Sequence, residues 1–322
     1  MKAIRVHATG GPEVLRLEDV PTPEVGPKQA LVRHVAIGVN FIDTYFRSGL
    51  YAAELPFTPG NEGAGVVEAV GEGVTDVRPG DRVAWTAPLG GYAEHRIIPA
   101  YRLTPLPDAV SDEVAASIML KGLTAWYLLR RTFPVGPEHN VLIHAAAGGV
   151  GQLAVQWAKS LGATVIGTAG GPEKTARVRE LGADHAIDYR SEDFTASVRE
   201  ITDGRGCHVV YDGVGRDTFP GSLDCLRPLG MWVTFGKASG PLPPIDAQLL
   251  SAKGSLYMTR PTLGTYIQET ADLRAGAAEL FEMIGSGRVE AAVNHRWPLA
   301  EAAEAHRALE GRLTTGASVL LP

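Results

Sequence analysis

The stretch His144-Ala145-Ala146-Ala147-Gly148-Gly149-Val150-Gly151 decides the fold of this 322-residue chain. Its first residue ends a short apolar strand predicted at residues 140–144, and apolar residues recur after the loop at helical spacing as far as Leu161, where Gly162 ends the pattern. A strand, a glycine-rich turn and a helix in this order are typical of a dinucleotide-binding loop. Small residues let the backbone approach a pyrophosphate, and the helix N-terminus offers N–H donors and the positive end of its dipole. Ala145 stands where the usual pattern has its first glycine.

The alternation of strand and helix continues beyond this loop. Strands are predicted at residues 164–167, 186–188, 209–212, 231–235 and 255–258, with helical segments between most of them. Continuous apolar strands that alternate with helices indicate a parallel sheet covered on both faces, and six such strands complete a doubly wound domain. The sequence therefore predicts an α/β fold with a Rossmann-type, six-stranded parallel sheet.

The rest of the chain has a different rhythm. Residues 1 to about 110 contain short strands, such as 30–37 and 64–70, between turns rich in Gly and Pro, which predicts a mainly β domain. Helices are predicted at about 264–286 and 299–310, and a strand at 317–321. A terminal strand needs a sheet to join, so we expect it to complete the N-terminal β domain. The predicted domains are therefore 1–120 with 261–322, and 121–260.

Composition and charge exclude several classes of protein. The formal net charge is −6 and no basic tract occurs in the sequence, so nucleic acid is not expected as the main partner. No apolar run approaches the roughly 20 residues that cross a bilayer, and the N-terminus lacks the apolar region of a signal peptide. Two cysteines, Cys207 and Cys225, exclude a disulfide framework and indicate a cytoplasmic location.

The residues after the second strand of the Rossmann domain favour NADPH over NADH. An NAD site usually places an acidic residue there to bind the ribose 2′-hydroxyl, whereas residues 168–172 contain no acid. Lys174 lies just beyond and offers positive charge to a 2′-phosphate, and Tyr189 and Arg190 follow the third strand, where they can close the same pocket. Glu173 is interpreted as a first-turn acid that complements the helix dipole.

Three segments carry a resemblance to a known family: Gly38-Val39-Asn40-Phe41-Ile42-Asp43-Thr44-Tyr45-Phe46-Arg47-Ser48-Gly49, the loop at 145–151, and Tyr211-Asp212-Gly213-Val214-Gly215. With them the chain resembles the quinone oxidoreductases, especially the bacterial ones, over essentially its whole length. These form the zeta-crystallin-like, zinc-free branch of the medium-chain dehydrogenase/reductase superfamily. The resemblance implies a GroES-like catalytic domain, a Rossmann domain and NADPH. It also implies a homodimer joined edge to edge through the Rossmann sheets, near residues 250–260.

Zinc is not expected in the reaction. Zinc-containing relatives use Cys, His and Cys as catalytic ligands, and the matching positions here are Asn40, Asn61 and Leu120. None of these side chains is a thiolate or an imidazole. Without a Lewis acid, a substrate that is already electrophilic fits better than an alcohol, which favours a quinone or an activated enone.

The resemblance also implies a set of cofactor contacts. By position they are Asn40, Thr124, Tyr127, Gly149, Val150, Gly170, Lys174, Tyr189, Phe235, Thr259, Arg260 and Arg312. Gly149 and Val150 would hold the pyrophosphate, and the group of Gly170, Lys174 and Tyr189 would surround the 2′-phosphate. The remaining residues would border the nicotinamide ribose, the nicotinamide or the phosphates. The family often has Ser where this chain has Gly213, so a side-chain contact there is absent.

Three residues on one short segment are candidates for contact with the substrate. Negative charge develops on a quinone oxygen during reduction, and a nearby hydrogen-bond donor stabilises it. Asn40, Tyr45 and Tyr51 can supply such a donor, and the two tyrosines can also stack on a flat ring. Asp43 is either a partner behind these residues or a cap of the predicted helix at 41–47; we assign it no catalytic role.

The sequence leaves three other functions open, one of which is a regulatory NADPH sensor without turnover. An enone or alkenal double-bond reductase of the same superfamily requires nearly the same pocket chemistry. A nucleic-acid-binding or structural crystallin-like role belongs to a different class, and the negative charge and the lack of a basic-aromatic stripe argue against RNA.

Overall fold

A computed structural model describes residues 1–311 and 313–322. Its strands are, in chain order, β1 Lys2–Arg5, β2 Arg16–Asp19, β3 Gln29–Val39, β4 Glu62–Val70, β5 Arg82–Thr86, β6 His95–Pro99, β7 Thr104–Pro105, β8 Asn140–Ile143, β9 Thr164–Ala169, β10 His185–Asp188, β11 Cys207–Asp212, β12 Leu226–Thr234, β13 Tyr257–Thr259, β14 Val293–Pro298 and β15 Ala317–Leu321. Its α-helices are α1 Phe41–Arg47, α2 Asp112–Tyr127, α3 Gly149–Ser160, α4 Pro172–Glu180, α5 Phe194–Ile201, α6 Gly221–Asp224, α7 Ala247–Ala252, α8 Leu263–Tyr266, α9 Thr270–Gly285 and α10 Ala302–Glu310.

A six-stranded sheet forms the centre of one compact unit, which comprises Gly122–Gln268 and Ser286–Glu290 and is called the second unit below. The strand order is β10-β9-β8-β11-β12-β13, and every neighbouring pair is parallel. This confirms the predicted doubly wound sheet. The order changes direction between β8 and β11, and α/β sheets bind ligands beyond the carboxyl ends of the strands at such a point.

A seven-stranded sheet forms the first unit, which comprises Met1–Lys121, Glu269–Gly285 and Ala291–Pro322. The order is β14-β15-β3-β4-β5-β7, and β6 also pairs with β3. Strand β15 is antiparallel to β3, with Val319 opposite Gly38, so the terminal strand completes the N-terminal sheet as predicted. The predicted domain boundaries remain a prediction; these units differ from them mainly at residues 261–268 and 286–290.

Several predicted elements differ in their bounds from the structure; β12, predicted at 231–235, spans Leu226–Thr234. The helix predicted at about 264–286 is divided into α8 and α9, because Ile267 is buried and leaves the helical region at φ −118° and ψ 24°. Threonines at 262, 265 and 270 lower the helix propensity on both sides of this break. The strand predicted at 255–258 begins later, at Tyr257, because Ser255 has φ 55°, which lies outside the extended region of the backbone.

The core of the second unit contains both cysteines. Cys207 and Cys225 are free thiols that pack among Leu142, Ile166 and Trp232. Burial raises the pKa of both thiols, which makes them poor nucleophiles. Among the described residues, no helix has both the length and the apolarity needed to cross a bilayer.

Candidate active site

The glycine-rich loop joins β8 to α3 at the carboxyl end of the parallel sheet. Gly148 is the N-cap of α3, so the N–H groups from Gly149 to Gly151 have no partner inside this helix. A Cβ at Gly151 would collide with the carbonyl oxygen of Ala145, which makes the turn as tight as the backbone permits. Ala145 itself has φ 51°, in the region that favours glycine. The loop therefore offers donors and a helix dipole to an anion, as a pyrophosphate requires.

A buried polar network begins at the first residue of this loop. His144 contacts Thr168 Oγ1 through Nδ1 (2.9 Å) and Ser222 Oγ through Nε2 (3.1 Å). Because the Ser222 hydroxyl donates to Asp212 Oδ2 (3.0 Å), Nε2 of His144 must carry the proton and Nδ1 must accept from Thr168. Burial lowers the pKa of His144, which keeps the ring neutral. His144 thus links the end of β8 to Thr168 in β9 and to Ser222 in α6.

Asp212 is the centre of this network at the end of β11. Its buried carboxylate accepts five hydrogen bonds of 2.8–3.2 Å, from the backbone N–H groups of Val214 and Gly215, the hydroxyls of Thr218 and Ser222, and the indole of Trp232. The backbone bonds fix the start of the loop at 213–218, which follows the strand next to the point where the sheet order reverses. Asp212 therefore shapes the candidate cofactor site without facing it.

A second turn of small residues follows β9. A Cβ at Gly170 would lie 2.8 Å from Cζ of Tyr189 and 3.1 Å from Nε of Arg190, so a phenol and a guanidinium both face the Gly170 backbone. Tyr189 is 44% exposed although its ring is large and apolar. The structure thus brings together Gly170, Tyr189 and Arg190, a donor set that suits a phosphate.

The acidic residue nearest to this turn is occupied by backbone groups. Asp188 Oδ1 accepts from the N–H groups of Gly171 (2.8 Å) and Arg190 (3.0 Å), and these bonds lower the pKa of Asp188. They tie the loop after β9 to the loop after β10. Lys174 lies half-buried in the first turn of α4, and Glu173 is exposed in the same turn, as expected for an acid at a helix N-terminus.

Phe235 follows β12 and packs on the loop after β11. A Cβ at Gly213 would lie 3.0 Å from Cζ of Phe235, so the ring fills the space that a larger residue at 213 would need. Nη1 of Arg260 donates to the carbonyl oxygens of Thr234 (2.8 Å) and Gly236 (3.2 Å), one on each side of Phe235. Arg260 therefore holds the backbone that carries the ring.

Tyr127 is buried against a tyrosine that the sequence did not single out. Its ring stacks on Tyr266 with a centroid distance of 4.4 Å and an angle of 11°, and Thr132 Oγ1 donates to the Tyr266 hydroxyl (2.8 Å). Burial raises the pKa of Tyr127, and Tyr266 raises it further, while Arg260 lowers it. Thr124 is buried in α2 and Thr259 ends β13; Arg312 lies outside the described residues.

Asn40 lies at the junction of β3 and α1 in the first unit, in contact with a buried ion pair. Its Nδ2 donates to Glu62 Oε1 (2.7 Å), which also accepts from Lys121 Nζ (2.9 Å). The second oxygen, Oε2, accepts the backbone N–H of Leu120 (2.7 Å). Asn40 is the N-cap residue of α1, and its own N–H donates to Asp43 Oδ2 (2.8 Å). Asp43 is therefore the third residue of the helix and holds its cap.

Asp43 also begins a chain of hydrogen bonds that leads to the surface. It accepts from Asn61 Nδ2 and from the Tyr92 hydroxyl (3.0 Å), which in turn contacts His306 Nε2 (3.0 Å). Arg47 reaches His306 Nδ1 (3.2 Å), and a guanidinium can only donate, so the His306 proton is on Nε2. Arg47 ends the chain in a two-pronged ion pair with the partly exposed Glu310.

Tyr45 and Tyr51 contact each other edge to face. Their ring centroids are 5.4 Å apart at 69°, and the backbone N–H of Tyr51 donates to the carbonyl oxygen of Tyr45 (3.0 Å). Both are half-buried, so each keeps part of its ring accessible. The structure therefore groups the three predicted substrate residues on one segment that includes α1.

The positions that match the zinc ligands of relatives do not fit a zinc ion. Asn40 and Asn61 each donate an amide N–H to a carboxylate, that of Glu62 and that of Asp43 respectively, and Leu120 has an aliphatic side chain. Zinc in proteins takes thiolate, imidazole or carboxylate ligands. Within residues 1–311 and 313–322, no group of three or more His, Cys, Asp or Glu side chains is arranged to hold a metal.

Several residues of these sites were not singled out in the sequence. They are Glu62, Lys121, Tyr92, His306, Asp212, Ser222 and Tyr266. A charged residue inside an apolar helical run, as in Met119-Leu120-Lys121-Gly122-Leu123, is the one local signal that indicates such a buried partner. The others have ordinary sequence surroundings, and only the fold brings them together.

Two family models match the chain. The model described as "Alcohol dehydrogenase GroES-like domain" matches residues 26–108, and the one described as "Zinc-binding dehydrogenase" matches residues 149–282. The first model lies within the β-rich first unit. The second begins at Gly149, in the glycine-rich loop.

Relatives and solved structures match over the full chain. The quinone oxidoreductase of Pseudomonas aeruginosa is 52% identical over 100% of this chain and 99% of its own. A 2-haloacrylate reductase of Burkholderia is 47% identical over 98% of both chains. The crystal structure of Escherichia coli quinone oxidoreductase complexed with NADPH is 45% identical, with a TM-score of 0.98 over 100% of both chains. The chain belongs to the quinone oxidoreductase family of the medium-chain dehydrogenase/reductase superfamily.

Proposed function

We propose that this chain catalyses the NADPH-dependent reduction of quinones by hydride transfer, without zinc. The observation that carries the proposal is full-length similarity to quinone oxidoreductases together with a glycine-rich loop whose first helix N–H groups have no partner within the helix. The side chains of Asn40, Asn61 and Leu120 are not ligands that zinc prefers, which supports a reaction without a metal.

The cofactor assignment follows the two small-residue turns of the second unit. When bound, NADPH supplies a hydride from its nicotinamide ring. We assign the pyrophosphate to the N–H groups of Gly149 and Val150. We assign the 2′-phosphate to Gly170, Lys174 and Tyr189, and the position of the Arg190 guanidinium beside Gly170 adds a fourth member to this set. Positive charge there favours NADPH over NADH.

A second set of residues is assigned to the nicotinamide side of the cofactor. In the second unit it consists of Thr124, Tyr127, Phe235, Thr259 and Arg260, and the family resemblance also assigns a cofactor contact to Asn40. Because Arg260 bonds to backbone carbonyl groups, its part in this assignment is to hold Phe235 in place. Tyr127 would contribute its stacked ring together with Tyr266.

The substrate is assigned to Asn40, Tyr45 and Tyr51. Charge that develops on a quinone oxygen needs a donor that is already oriented, and a single such donor is worth about 10²–10³ in rate in other enzymes. The tyrosine pair also offers an aromatic edge and face to a flat ring. The hydroxyl groups of these tyrosines are candidate proton donors to the reduced oxygen.

The oligomer and the location are further parts of the proposal. We infer a homodimer through the exposed edge of the Rossmann sheet, where Tyr257 and Met258 of β13 are 57% and 37% exposed. The two free, buried cysteines support a cytoplasmic location, because reducing compartments keep thiols unpaired.

A spectrophotometric panel tests the reaction. Purified protein is expected to oxidise NADPH with small quinones, more slowly with NADH, and at the same rate after treatment with a chelator. Activated enones and 2-haloacrylate in the same panel test the double-bond reductase alternative. Turnover with enones but not with quinones would replace the proposed acceptor, and loss on chelation with recovery on added zinc would refute a metal-free reaction.

Arg190 and Lys174 test the choice of cofactor. Arg190→Ala and Lys174→Ala are each expected to raise the KM for NADPH about tenfold or more, because each removes a charge-assisted bond worth roughly 1.5–3 kcal/mol. The KM for NADH should stay within a factor of two. Arg177→Ala, on the same helix as Lys174, is the matched control. Equal changes for both cofactors would contradict the assigned 2′-phosphate site.

A further inference from the structure

The ion pair between Glu62 and Lys121 is buried beside the candidate catalytic residue Asn40. The Glu62 side chain is fully buried and that of Lys121 is 9% exposed. A buried ion pair stabilises a fold no better than well-packed apolar residues of similar volume, because both charges lose their hydration. A pair at this position in the candidate site therefore calls for a role besides folding.

Three groups in the described part of the chain donate hydrogen bonds to the Glu62 carboxylate. These bonds come from the Asn40 amide and the Lys121 ammonium at Oε1, and from the backbone N–H of Leu120 at Oε2. Lys121 also donates to the carbonyl oxygen of Ser117 (3.0 Å), which fixes the direction of its ammonium group. A carboxylate in an ion pair only accepts, so the NH₂ group of Asn40 must face Glu62 and its Oδ1 must face away.

The backbone around Asn40 leaves it little freedom to turn. Its N–H is held by Asp43 Oδ2 at 2.8 Å. A Cβ at Gly38, two residues earlier on β3, would collide with Oε1 of Glu62 and with the carbonyl oxygen of Ala116, so the strand passes directly against the carboxylate. Asn40 and Asp43 also form the capping box of α1, in which the Asn40 side chain faces the backbone N–H of Asp43. Asn40 is therefore anchored at its backbone and at both ends of its amide, and the second N–H of Nδ2 and the second lone pair of Oδ1 can bind a ligand.

We propose that Glu62 and Lys121 are positioning residues that hold the Asn40 amide in one orientation. Lys121 keeps the Glu62 carboxylate an acceptor, and the carboxylate keeps Oδ1 of Asn40 outward. The amide then presents its second N–H donor to a carbonyl oxygen, and the second lone pair of Oδ1 to a hydroxyl group such as that of a ribose or a hydroquinone. The identity of the ligand that Asn40 binds rests on the proposed function, whereas the orientation of its amide does not.

Kinetics of a neutral pair test this role. In Glu62→Gln/Lys121→Met, the new amide at position 62 can donate to Asn40 and let it flip, so kcat/KM for NADPH and a quinone is expected to fall about 10- to 100-fold. In an Asn40→Ala background the same pair of changes should cause no further loss. Arg33→Met/Glu68→Gln removes an exposed ion pair between β3 and β4 and should leave kcat/KM within a factor of two. Losses that multiply with Asn40→Ala would assign the pair to structure alone and overturn the proposal.

The side-chain amide signals of Asn40 give a readout that does not depend on activity. They are identified in ¹⁵N–¹H NMR spectra by their loss in Asn40→Ala. The neutral pair is expected to shift them and to speed their exchange with water, whereas Arg33→Met/Glu68→Gln should not. If the neutral pair does not fold, Glu62→Asp withdraws the carboxylate by one methylene and should give the same shift. Unchanged signals would overturn the proposal. A wild type that oxidises no NADPH with quinones would refute the proposed function, and the NMR result would still decide the orientation.

Discussion

Asp43 and His306 lie on one chain of hydrogen bonds, but burial shifts their titration in opposite directions. Burial raises the pKa of Asp43 from 3.8 to about 6, in spite of its hydrogen-bond donors, and the charge of Glu62 adds to the rise. Burial lowers the pKa of His306 from 6.5 to about 3, and the charge of Arg47 adds to the fall. In both residues the low-polarity surroundings penalise the charged form. Their contributions to stability therefore oppose each other in mildly acidic solution.

Replacing Asp43 should change how the free energy of unfolding depends on pH. A carboxyl group with a raised pKa adds stability that is complete below pH 3.8 and is lost as the pH rises through 6, whereas a histidine with a lowered pKa adds stability above pH 6.5 that is lost as the pH falls. Asp43 thus offsets part of the stability that is lost through His306 as the pH falls. In Asp43→Asn the free energy of unfolding should fall more steeply between pH 6.5 and 4, by up to about 3 kcal/mol.

Urea unfolding followed by tryptophan fluorescence over this pH range measures the slope. The exposed Asp203→Asn serves as control and should keep the wild-type slope. A slope for Asp43→Asn equal to that of the wild type would contradict the shifted titration of Asp43.

Buried charges were the residues that sequence reasoning could predict least. Glu62 and Lys121 are 59 positions apart, and nothing local in either segment identifies the other as its partner. Asn40 was predicted from a resemblance, yet its orientation follows from Glu62, which only the folded chain brings within 2.7 Å. Long-range polar contacts of this kind depend on tertiary structure, which no local pattern encodes.

Regular elements were predictable where their hydrophobic period was strong. Strand β9 was predicted at 164–167 and is formed by Thr164–Ala169, and α3 was predicted to about 161 and ends at Ser160. The predicted helix across 264–286 was wrong, because burial of Ile267 outweighs helix continuity there. Tyr266 stacks on Tyr127 at this same break. This contact was not predicted from the sequence, because residues 264–286 were treated as one continuous helix.

Asp212 connects β11 to the loop that follows it, so its removal should act on that loop first. In Asp212→Asn one oxygen becomes an NH₂ group, so either the backbone N–H groups of Val214 and Gly215 or the indole of Trp232 lose their acceptor in a buried site. The hydroxyls of Thr218 and Ser222 keep backbone carbonyl acceptors. We expect the free energy of unfolding to fall by about 2–4 kcal/mol and the KM for NADPH to rise. Urea unfolding and steady-state kinetics measure the two effects.

The control for this change lies in the same loop. Asp217 is 60% exposed and bonds to Arg216 at the surface, so Asp217→Asn should change stability by less than about 0.5 kcal/mol. Equal stability for Asp212→Asn and the wild type would refute the role given to the buried carboxylate.

Residues from the two ends of the described chain share one sheet. Strand β15 pairs with β3, and β14 adds to β15, so about the last thirty residues complete a sheet that starts before residue 40. The six-stranded sheet lies between these parts in sequence and has its own core. Its terminal strand β13 pairs with β12 alone among the described strands, and this exposed edge is the feature that bears on assembly.

Strand β13 is short and carries large apolar side chains on an open sheet edge, which favours pairing with a second copy of the chain. The wild type is therefore expected to elute in size-exclusion chromatography with light scattering at twice the chain mass of 34.1 kDa. Met258→Lys places a charge on this edge and should give a monomer, because a buried unpaired charge costs several kcal/mol. Leu17→Lys, at a 40% exposed apolar position on β2, should leave the dimer intact. A wild-type mass of one chain, or a dimer that survives Met258→Lys, would place the assembly surface elsewhere.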